Sequence, residues 1–532
     1  MSDNRILTID KLRVEATSGA VLLDDVSIHV DRGEVLGLIG ESGAGKSTLA
    51  LSAIGLFRSG CRPTGGAITL SGQALLDLDG PALETVRRTK AAYVAQSAAA
   101  AFNPFYRLQD QVTEVPAMQQ SLTRAQRHRL AADLFEELQL PDPENFGRRY
   151  PHQVSGGQLQ RAMIAMALIN QPDLIIFDEP TTALDVTTQI EVLRLIRKVA
   201  RQHNCAALYI SHDLAVVSQM ADRIAVLRYG KMVEQGPTRQ LVDNPQTEYA
   251  QRLVANQGDG TYAVANSQAE ALLDVRHVDI GYGGLTAVKD ASITLEGGSV
   301  LALVGESGSG KTTLARAIAG LQPVRAGEIR MRDTVLPPLV ERRTFEQRRL
   351  IQYIHQLPDL ALNGRQTIRE IVGRPLAFFH NIRGAAAEAR LRELMEAIEL
   401  PVDYLDRYPA SLSGGQKQRV CIARSLAAKP DILICDEITS ALDPLVEESI
   451  IKLLTRLIRD EDLSILFITH NLGLALRFSH VTAVMQSGKI LEYGPTRAVF
   501  ETPQSDYTRR LIAAVPQLSA GWLDGVSGTA AE

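Results

Sequence analysis

Two stretches of this chain have the residue types and spacing to cradle phosphate groups, GESGAGKS from Gly40 to Ser47 and GESGSGKT from Gly305 to Thr312. Glycines let a backbone approach an anion closely, the lysine brings a point charge, and the final hydroxyl can ligate a divalent cation. At ordinary residue frequencies such a pattern arises by chance about 0.02 times in a chain of this length. Two copies are therefore signal. Candidate nucleotide contacts are Gly40, Glu41, Ser42, Gly43, Ala44, Gly45, Lys46, Ser47 and Thr48 in the first copy. In the second copy they are Gly305, Glu306, Ser307, Gly308, Ser309, Gly310, Lys311, Thr312 and Thr313.

Each loop is followed by the same ordered landmarks. A glutamine closes an apolar run, AAYVAQ at Gln96 and IQYIHQ at Gln356, and a VSGGQ or LSGGQ segment follows at 154–158 and 412–416. An acidic pair then ends a second apolar run, Asp178-Glu179 in LIIFDEP and Asp436-Glu437 in ILICDEI. A short ALD segment comes next, then a histidine after a buried run, His212 and His470. In both copies 20 residues separate the SGGQ glutamine from the aspartate, and 33 separate the glutamate from the histidine. An aspartate at a strand end beside a phosphate loop can hold a magnesium shell. The neighbouring glutamate is placed to orient and polarise an attacking water.

These groups need rigid elements behind them. The apolar runs at 35–39 and 300–304 read as buried strands leading into the loops, and an apolar helix is expected to begin near Ser47 or Thr312. Phosphates would then meet backbone N–H groups at a helix N-terminus, where the dipole favours anions. Ser155, Gly156 and Gly157, and likewise Ser413, Gly414 and Gly415, stand before further helical patterns and read as a second anion-binding helix end in each copy. ILTIDKLRV, VSIHV and GAITL, repeated as LLDVRHVDI, ASITL and GEIRM, have the character of strands. The segments at 97–154 and 357–411 turn helical and polar, as small helical subdomains would.

At 532 residues the chain exceeds a single core, and the repeat predicts a first domain over 1–256, a linker over 257–270, a second domain over 271–515 and a loose tail over 516–532. The net charge of -5 gives no basic footprint for nucleic acid. No run of 18 apolar residues exists and the N-terminus lacks the apolar core of a signal peptide. A cytoplasmic protein that reaches membranes through partners is therefore expected. Of four cysteines, Cys205, Cys421 and Cys435 sit among apolar residues and read as small core residues, and Cys61 adds no metal-ligand spacing.

Taken together, the ordered motifs resemble the ATP-binding cassette (ABC) ATPases over nearly the whole chain. The resemblance implies an α/β fold, two P-loop ABC-type nucleotide-binding domains in tandem, each with a RecA-like core, an antiparallel β subdomain and a helical subdomain. It implies ATP hydrolysis with Mg²⁺, the ion held by Ser47, Gln96 and Asp178 in one copy and by Thr312, Gln356 and Asp436 in the other. Glu179 and Glu437 become the catalytic carboxylates, and His212 and His470 the switch histidines at the γ-phosphate. Because the family closes the SGGQ end of one copy on the nucleotide of the other, it implies pairing of the two halves within one molecule. Lys46, Ser47, Gln96, Asp178, Glu179 and His212 would work with Ser413 and Gly415, and Lys311, Thr312, Gln356, Asp436, Glu437 and His470 with Ser155 and Gly157.

Two departures stand out. Family members stack adenine on an early aromatic residue, a role that Tyr282 fits in the second copy, whereas the first copy has no Phe, Tyr or Trp before Phe57. Ile438 replaces the proline found at Pro180 in the first copy, and little catalytic loss is expected because Glu437 is intact.

Within the family, the pairing of halves is similar to the two ATPase subunits of the peptide, dipeptide and nickel importers, fused head to tail. AAAFNP after Gln96 and LALNG after Gln356 resemble the loop that faces the permease, and GPTRQLVDNPQTEYAQRLVAN and GPTRAVFETPQSDYTRRLIAAVP resemble the C-terminal extension. Many relatives bind an iron–sulfur cluster there through cysteines. The extensions here carry none, so no cluster is expected. The resemblance implies two transmembrane permease subunits and, indirectly, an extracytoplasmic solute-binding protein as partners, with the chain peripheral to the cytoplasmic face of the inner membrane. The competing class is a soluble tandem ABC ATPase acting on ribosomes or DNA. Such proteins carry long charged linkers, zinc-binding cysteine pairs or coiled coils, none of which is read here.

Overall fold

The structure is a computed structural model that describes residues 4–120, 122–182, 184–255, 270–440, 442–518 and 521–525. Apart from Glu270, the expected linker lies outside the described residues. The chain divides into two compact units, one holding residues up to 258 together with those from 516 onward, the other residues 259–515.

In the first unit the strands are β1 (Arg5–Ala16), β2 (Val21–Asp31), β3 (Val35–Ile39), β4 (Cys61–Leu70), β5 (Gln73–Ala74), β6 (Ala91–Val94), β7 (Leu174–Asp178), β8 (Ala206–Ile210), β9 (Arg223–Arg228) and β10 (Lys231–Pro237). They form an antiparallel sheet in the order β2-β1-β4-β5 and a core sheet in the order β10-β9-β3-β8-β7-β6. The core sheet is parallel except for the β9–β10 edge pair. Strands β3, β7 and β8 are buried at every position, as apolar runs must be in a parallel sheet covered on both faces.

The second unit repeats this plan. Its strands are β11 (Ala271–Tyr282), β12 (Leu285–Glu296), β13 (Val300–Val304), β14 (Val324–Met331), β15 (Thr334–Val335), β16 (Ile351–Ile354), β17 (Ile432–Asp436), β18 (Ser464–Ile468), β19 (Val481–Gln486) and β20 (Lys489–Pro495). The orders β12-β11-β14-β15 and β16-β17-β18-β13-β19-β20 match the first unit strand for strand. In each unit the central strand, β3 or β13, ends at the first loop glycine, so the phosphate loop leaves the carboxyl edge of the sheet, where open α/β folds bind ligands.

The helical inserts are present. Arg124–Glu137 opens with a Thr123/Gln126 capping box, and Ile368–His380 with a Thr367/Glu370 box, each satisfying backbone N–H groups at the helix start. Cys205, Cys421 and Cys435 are buried and Cys61 is half-buried. Burial pushes the three buried thiols up, so they are inert at neutral pH. No helix of the described residues is long and apolar enough to cross a membrane.

Of the segment expected as a loose tail, residues 516–518 and 521–525 are described. A helical turn at Trp522–Gly525 buries Trp522 and Leu523 and belongs to the first unit. Its seat is made by the helices Val186–Gln202 and Leu214–Met220. Arg194 donates from Nε and Nη2 to the Leu523 carbonyl at 3.2 Å, and Arg197 pairs with Asp524. The Gln219 amide donates to the Gln517 carbonyl at 2.8 Å and accepts from the Leu523 N–H at 3.3 Å. Burial of Trp522 and Leu523 is enough to anchor a short segment.

Candidate nucleotide sites

The loop helices begin at the lysines themselves, Lys46–Ser52 and Lys311–Ile318, with Gly45 and Gly310 as left-handed N-caps at φ 101° and 106°. A Cβ on Gly45 would lie 2.8 Å from Leu23 Cδ2, and one on Gly310 2.8 Å from Met485 Cε and 2.9 Å from the Ala287 carbonyl. The glycines are required both by dihedral and by space. Both lysines are buried. Lys46 Nζ donates to the carbonyls of Gly40 (2.6 Å) and Glu41 (2.9 Å), and Lys311 Nζ to those of Gly305 (2.8 Å) and Glu306 (2.7 Å). The ammonium is thereby held over the loop that the sequence assigns to phosphate.

Next to each loop the acidic pair is built the same way twice. Gln96 Nε2 donates to Glu179 Oε2 at 3.0 Å, and Gln356 Nε2 to Glu437 Oε2 at 2.9 Å. His212 Nδ1 lies 3.2 Å from Glu179 Oε1, and His470 Nδ1 3.7 Å from Glu437 Oε2. Burial would raise the Glu179 carboxyl, but the hydrogen bond and charge of His212, with the charge of Lys46, outweigh it and hold it below the ordinary carboxylate value. The nearby His470 imidazole, with the charge of Lys311, likewise holds the Glu437 carboxyl low against burial. Burial would lower the His212 imidazole, yet its bond to Glu179 and that carboxylate's charge raise it. Both glutamates are therefore ionised at neutral pH, the form that can accept a proton from water.

Glu179 and Glu437 each take a φ of 49°, a conformation costly for a residue with a side chain and concentrated at functional positions. Their N–H groups are fixed by the carbonyls of Ile210 (2.9 Å) and Ile468 (3.0 Å) on the neighbouring strands. Ile438 is 2 % exposed and joins the core cluster beneath the site, so an apolar side chain fills the place of the proline.

The aspartates sit one residue earlier, at the ends of β7 and β17. Tyr93 donates its hydroxyl to Asp178 Oδ2 at 2.6 Å, and Tyr353 does the same to Asp436. These tyrosines were not singled out in the sequence, although each stands three residues before the site glutamine in AAYVAQ and IQYIHQ. Thr312 Oγ1 donates to Asp436 Oδ1 at 3.1 Å. A buried carboxylate beside a hydroxyl suits Mg²⁺, which takes one or two protein oxygens and completes its shell with phosphate and water. No cluster of three or more His, Cys, Asp or Glu side chains able to hold a metal occurs among the described residues.

The SGGQ segments differ slightly from expectation, since the glycines form the first turn and do not precede it. Helices Gly156–Leu168 and Gly414–Leu426 begin directly after Ser155 and Ser413, which cap them in capping boxes with Gln158 and Gln416. A Cβ on Gly157 would lie 2.4 Å from Thr188 Cγ2, and one on Gly415 2.5 Å from Val446 Cγ1. That space is closed by the helices that Asp185 and Asp443 of the ALD segments cap; Ala183 and Ala441 lie outside the described residues. Tyr282 ends β11 and is 46 % exposed, and Ala16 ends the corresponding β1.

A family model described as ABC transporter matches residues 23–182 and 288–440. The chain belongs to the ABC transporter ATP-binding family. A second model, the oligopeptide/dipeptide transporter C-terminal region, matches residues 491–531. The glutathione import ATP-binding protein GsiA of Escherichia coli K12 is 36 % identical over 539 residues, spanning 92 % of this chain and 86 % of the relative. The uncharacterized ABC transporter ATP-binding protein YejF of the same strain is 36 % identical over 505 residues, spanning 92 % of this chain and 95 % of its own. Among solved structures, cbiO1 of Clostridium perfringens, part of the ABC transporter complex cbiONQ, aligns at 22 % identity and a TM-score of 0.41 over 45 % of this chain and 92 % of that one. This ABC protein is an ATP-binding ATPase with two cassettes in tandem.

Proposed function

We propose that this ABC ATPase is the complete motor of an importer for peptides or related small solutes, with glutathione-like peptides the first class to try. The observation that carries the reading is the duplicated arrangement of loop lysine, tyrosine–aspartate pair and glutamine–glutamate–histidine group, joined to an oligopeptide/dipeptide transporter C-terminal region at 491–531.

Phosphates of ATP rest on the loop N–H groups and on Lys46 or Lys311. Ser47, Asp178 and Gln96, or Thr312, Asp436 and Gln356, would hold Mg²⁺, which would supply charge neutralisation for the phosphates. Glu179 and Glu437 align the attacking water and take its proton, and His212 and His470 hold those carboxylates ionised and face the γ-phosphate. Two permease subunits would bind beside Gln96 and Gln356 at the cytoplasmic face of the inner membrane, and an extracytoplasmic binding protein would deliver the solute.

The test is to co-express the chain with a candidate permease pair and assay ATP turnover and uptake of labelled glutathione and short peptides. Function requires co-purification of all three proteins and uptake that Lys46→Ala with Lys311→Ala abolishes. Turnover surviving in that double variant would overturn the sites, and co-sedimentation with ribosomes in place of permeases would overturn the transport role.

A further inference from the structure

Each unit closes its core sheet with the β9–β10 or β19–β20 hairpin and then sends a short amphipathic helix back across the phosphate-loop edge. These helices are Glu248–Ala255 and Asp506–Ala513, and each carries a tyrosine near its start, Tyr249 and Tyr507. Both tyrosines are buried, at 5 % and 4 % exposure. A buried phenol needs hydrogen-bond partners. In both units the hydroxyl oxygen accepts from the same loop residue. Glu41 N donates to the Tyr249 hydroxyl at 3.2 Å, and Glu306 N donates to the Tyr507 hydroxyl at 3.0 Å.

That loop residue also receives the site lysine. The Glu41 carbonyl accepts Lys46 Nζ at 2.9 Å and the Glu306 carbonyl accepts Lys311 Nζ at 2.7 Å. One residue of the loop is thus held at its N–H by a tyrosine some 200 positions away and at its carbonyl by the phosphate-binding ammonium. The helix start is itself fixed. Glu234 on β10 accepts from Gln246 N, Thr247 N and Thr247 Oγ1 at 2.7–2.9 Å, and Glu492 on β20 accepts from Gln504 N at 2.9 Å and Ser505 N at 3.2 Å. In the first unit the Arg228 guanidinium also lies 4.6 Å from the Tyr249 ring centre. A continuous set of contacts runs from the hairpin, through the extension helix, to the residue that carries the lysine.

We propose that Tyr249 and Tyr507 are positioning residues for the phosphate loops, giving the segment after each cassette a direct hold on nucleotide affinity. A loop rich in glycine has many backbone states, and fixing one N–H in the binding geometry removes an ordering cost that ATP would otherwise bear. The hydroxyl oxygen does this while leaving the loop's remaining N–H groups for phosphate. The inference rests on the nucleotide-site reading above.

Tyr249→Phe and Tyr507→Phe, singly and together, keep the buried ring and remove only the hydroxyl. Steady-state ATP turnover of the full chain should show KM for ATP raised about five- to thirtyfold in the double variant, the scale of one buried hydrogen bond with an orphaned donor, while kcat stays close to that of the parent. A purely structural tyrosine would lower the melting temperature and leave KM unmoved, and that result, or unchanged KM at unchanged stability, overturns the proposal. Lys46→Ala with Lys311→Ala is measured alongside by ATP binding. If those lysine variants bind ATP like the parent, the site reading itself fails; if they lose binding while the phenylalanine variants keep a parental KM, only the positioning role falls.

Discussion

The Gln96 amide and the Glu179 carboxylate are joined by a 3.0 Å hydrogen bond between β6 and β7, and Gln356 and Glu437 repeat it at 2.9 Å in the second unit. The bond leaves the glutamate with one oxygen on the glutamine and, in the first unit, the other on His212 at 3.2 Å. A carboxylate held at both oxygens is aimed before substrate arrives, which is how positioned bases gain efficiency.

Replacing either carboxylate by its amide tests that role. Glu179→Gln and Glu437→Gln should each lower phosphate release substantially yet leave residual turnover from the intact partner site, and the double variant should fall by about 10²- to 10⁴-fold. The fold is preserved because the amide is isosteric, so circular dichroism should not change. A double variant turning over at the parental rate would remove these residues from the chemistry.

A pH prediction comes from a carboxylate well away from the loops. Asp173 accepts Arg32 at 3.0 Å, Ser71 Oγ at 2.9 Å and Lys90 at 3.1 Å, joining the turns of the antiparallel sheet to the strand that carries the acidic pair. Burial would raise its carboxyl, but the bonds from Lys90, Arg32 and Ser71 outweigh it and hold it below 3.8. A depressed carboxylate contributes stability that is fully present above its unfolded value and lost as pH falls through its folded one. Asp173→Asn should therefore cost about 1 kcal/mol, discounted for partly exposed cations, in thermal melts at neutral pH. The gap between parent and variant should close as pH drops below about 3.8. A gap that persists in acid would show that shape, not charge, is what Asp173 supplies.

The parts of the site that the sequence makes legible are those fixed by short-range spacing and present twice. Gln96, Asp178 and Glu179 stand at or just past strand ends and Lys46 and Ser47 open the helix after the loop, where an apolar run followed by a polar residue reveals the geometry. The contacts that are not legible are those between residues distant in sequence. Tyr249 meets Glu41 across 208 positions, and nothing in TEYA indicates which backbone group its hydroxyl will find. Tyr93 and Tyr353 are intermediate, since their repeated place before the glutamine was a usable signal, while a tyrosine within an apolar strand is ordinarily core. The φ of 49° at Glu179 and Glu437 leaves no trace in residue type, because strain of that kind is imposed by the neighbouring strand and not by local preference. The contacts of Leu523 are likewise not legible, because its partners Arg194 and Gln219 lie 329 and 304 positions earlier.

The two units differ at the strand-end position proposed to meet adenine. β1 and β11 are both twelve residues long, and the last position is Ala16 in one and Tyr282 in the other. An aromatic face contributes about 1–3 kcal/mol when a base stacks on it, so the first site should bind ATP more weakly. Ala16→Tyr should raise nucleotide affinity about tenfold at that site, and Tyr282→Ala should lower it by a similar factor at the other. Both are read by titrating ATP in the Glu179→Gln, Glu437→Gln background. Equal affinities in all three proteins would mean that neither position meets the base.

The sole tryptophan of the chain, Trp522, makes the seating of the C-terminal segment directly observable. It is 9 % exposed, so its emission should be blue-shifted relative to free tryptophan in water. The seat is written into the first unit only. Positions equivalent to Arg194, Arg197 and Gln219, 258 residues further on, are Lys452, Thr455 and Arg477. Thr455 cannot pair with an aspartate as Arg197 does with Asp524, and Arg477 cannot accept the N–H that Gln219 accepts from Leu523 at 3.3 Å. Arg197→Glu with Gln219→Leu should therefore shift Trp522 emission to the red, whereas Thr455→Glu with Arg477→Leu should leave it in place. The first pair removes an exposed ion pair and two backbone hydrogen bonds, about 1–3 kcal/mol in sum, which suffices to free a segment anchored by two apolar side chains. Red-shifted emission in the parent, or an equal shift from both pairs of substitutions, would show that the segment is not held on the face between Arg194 and Gln219.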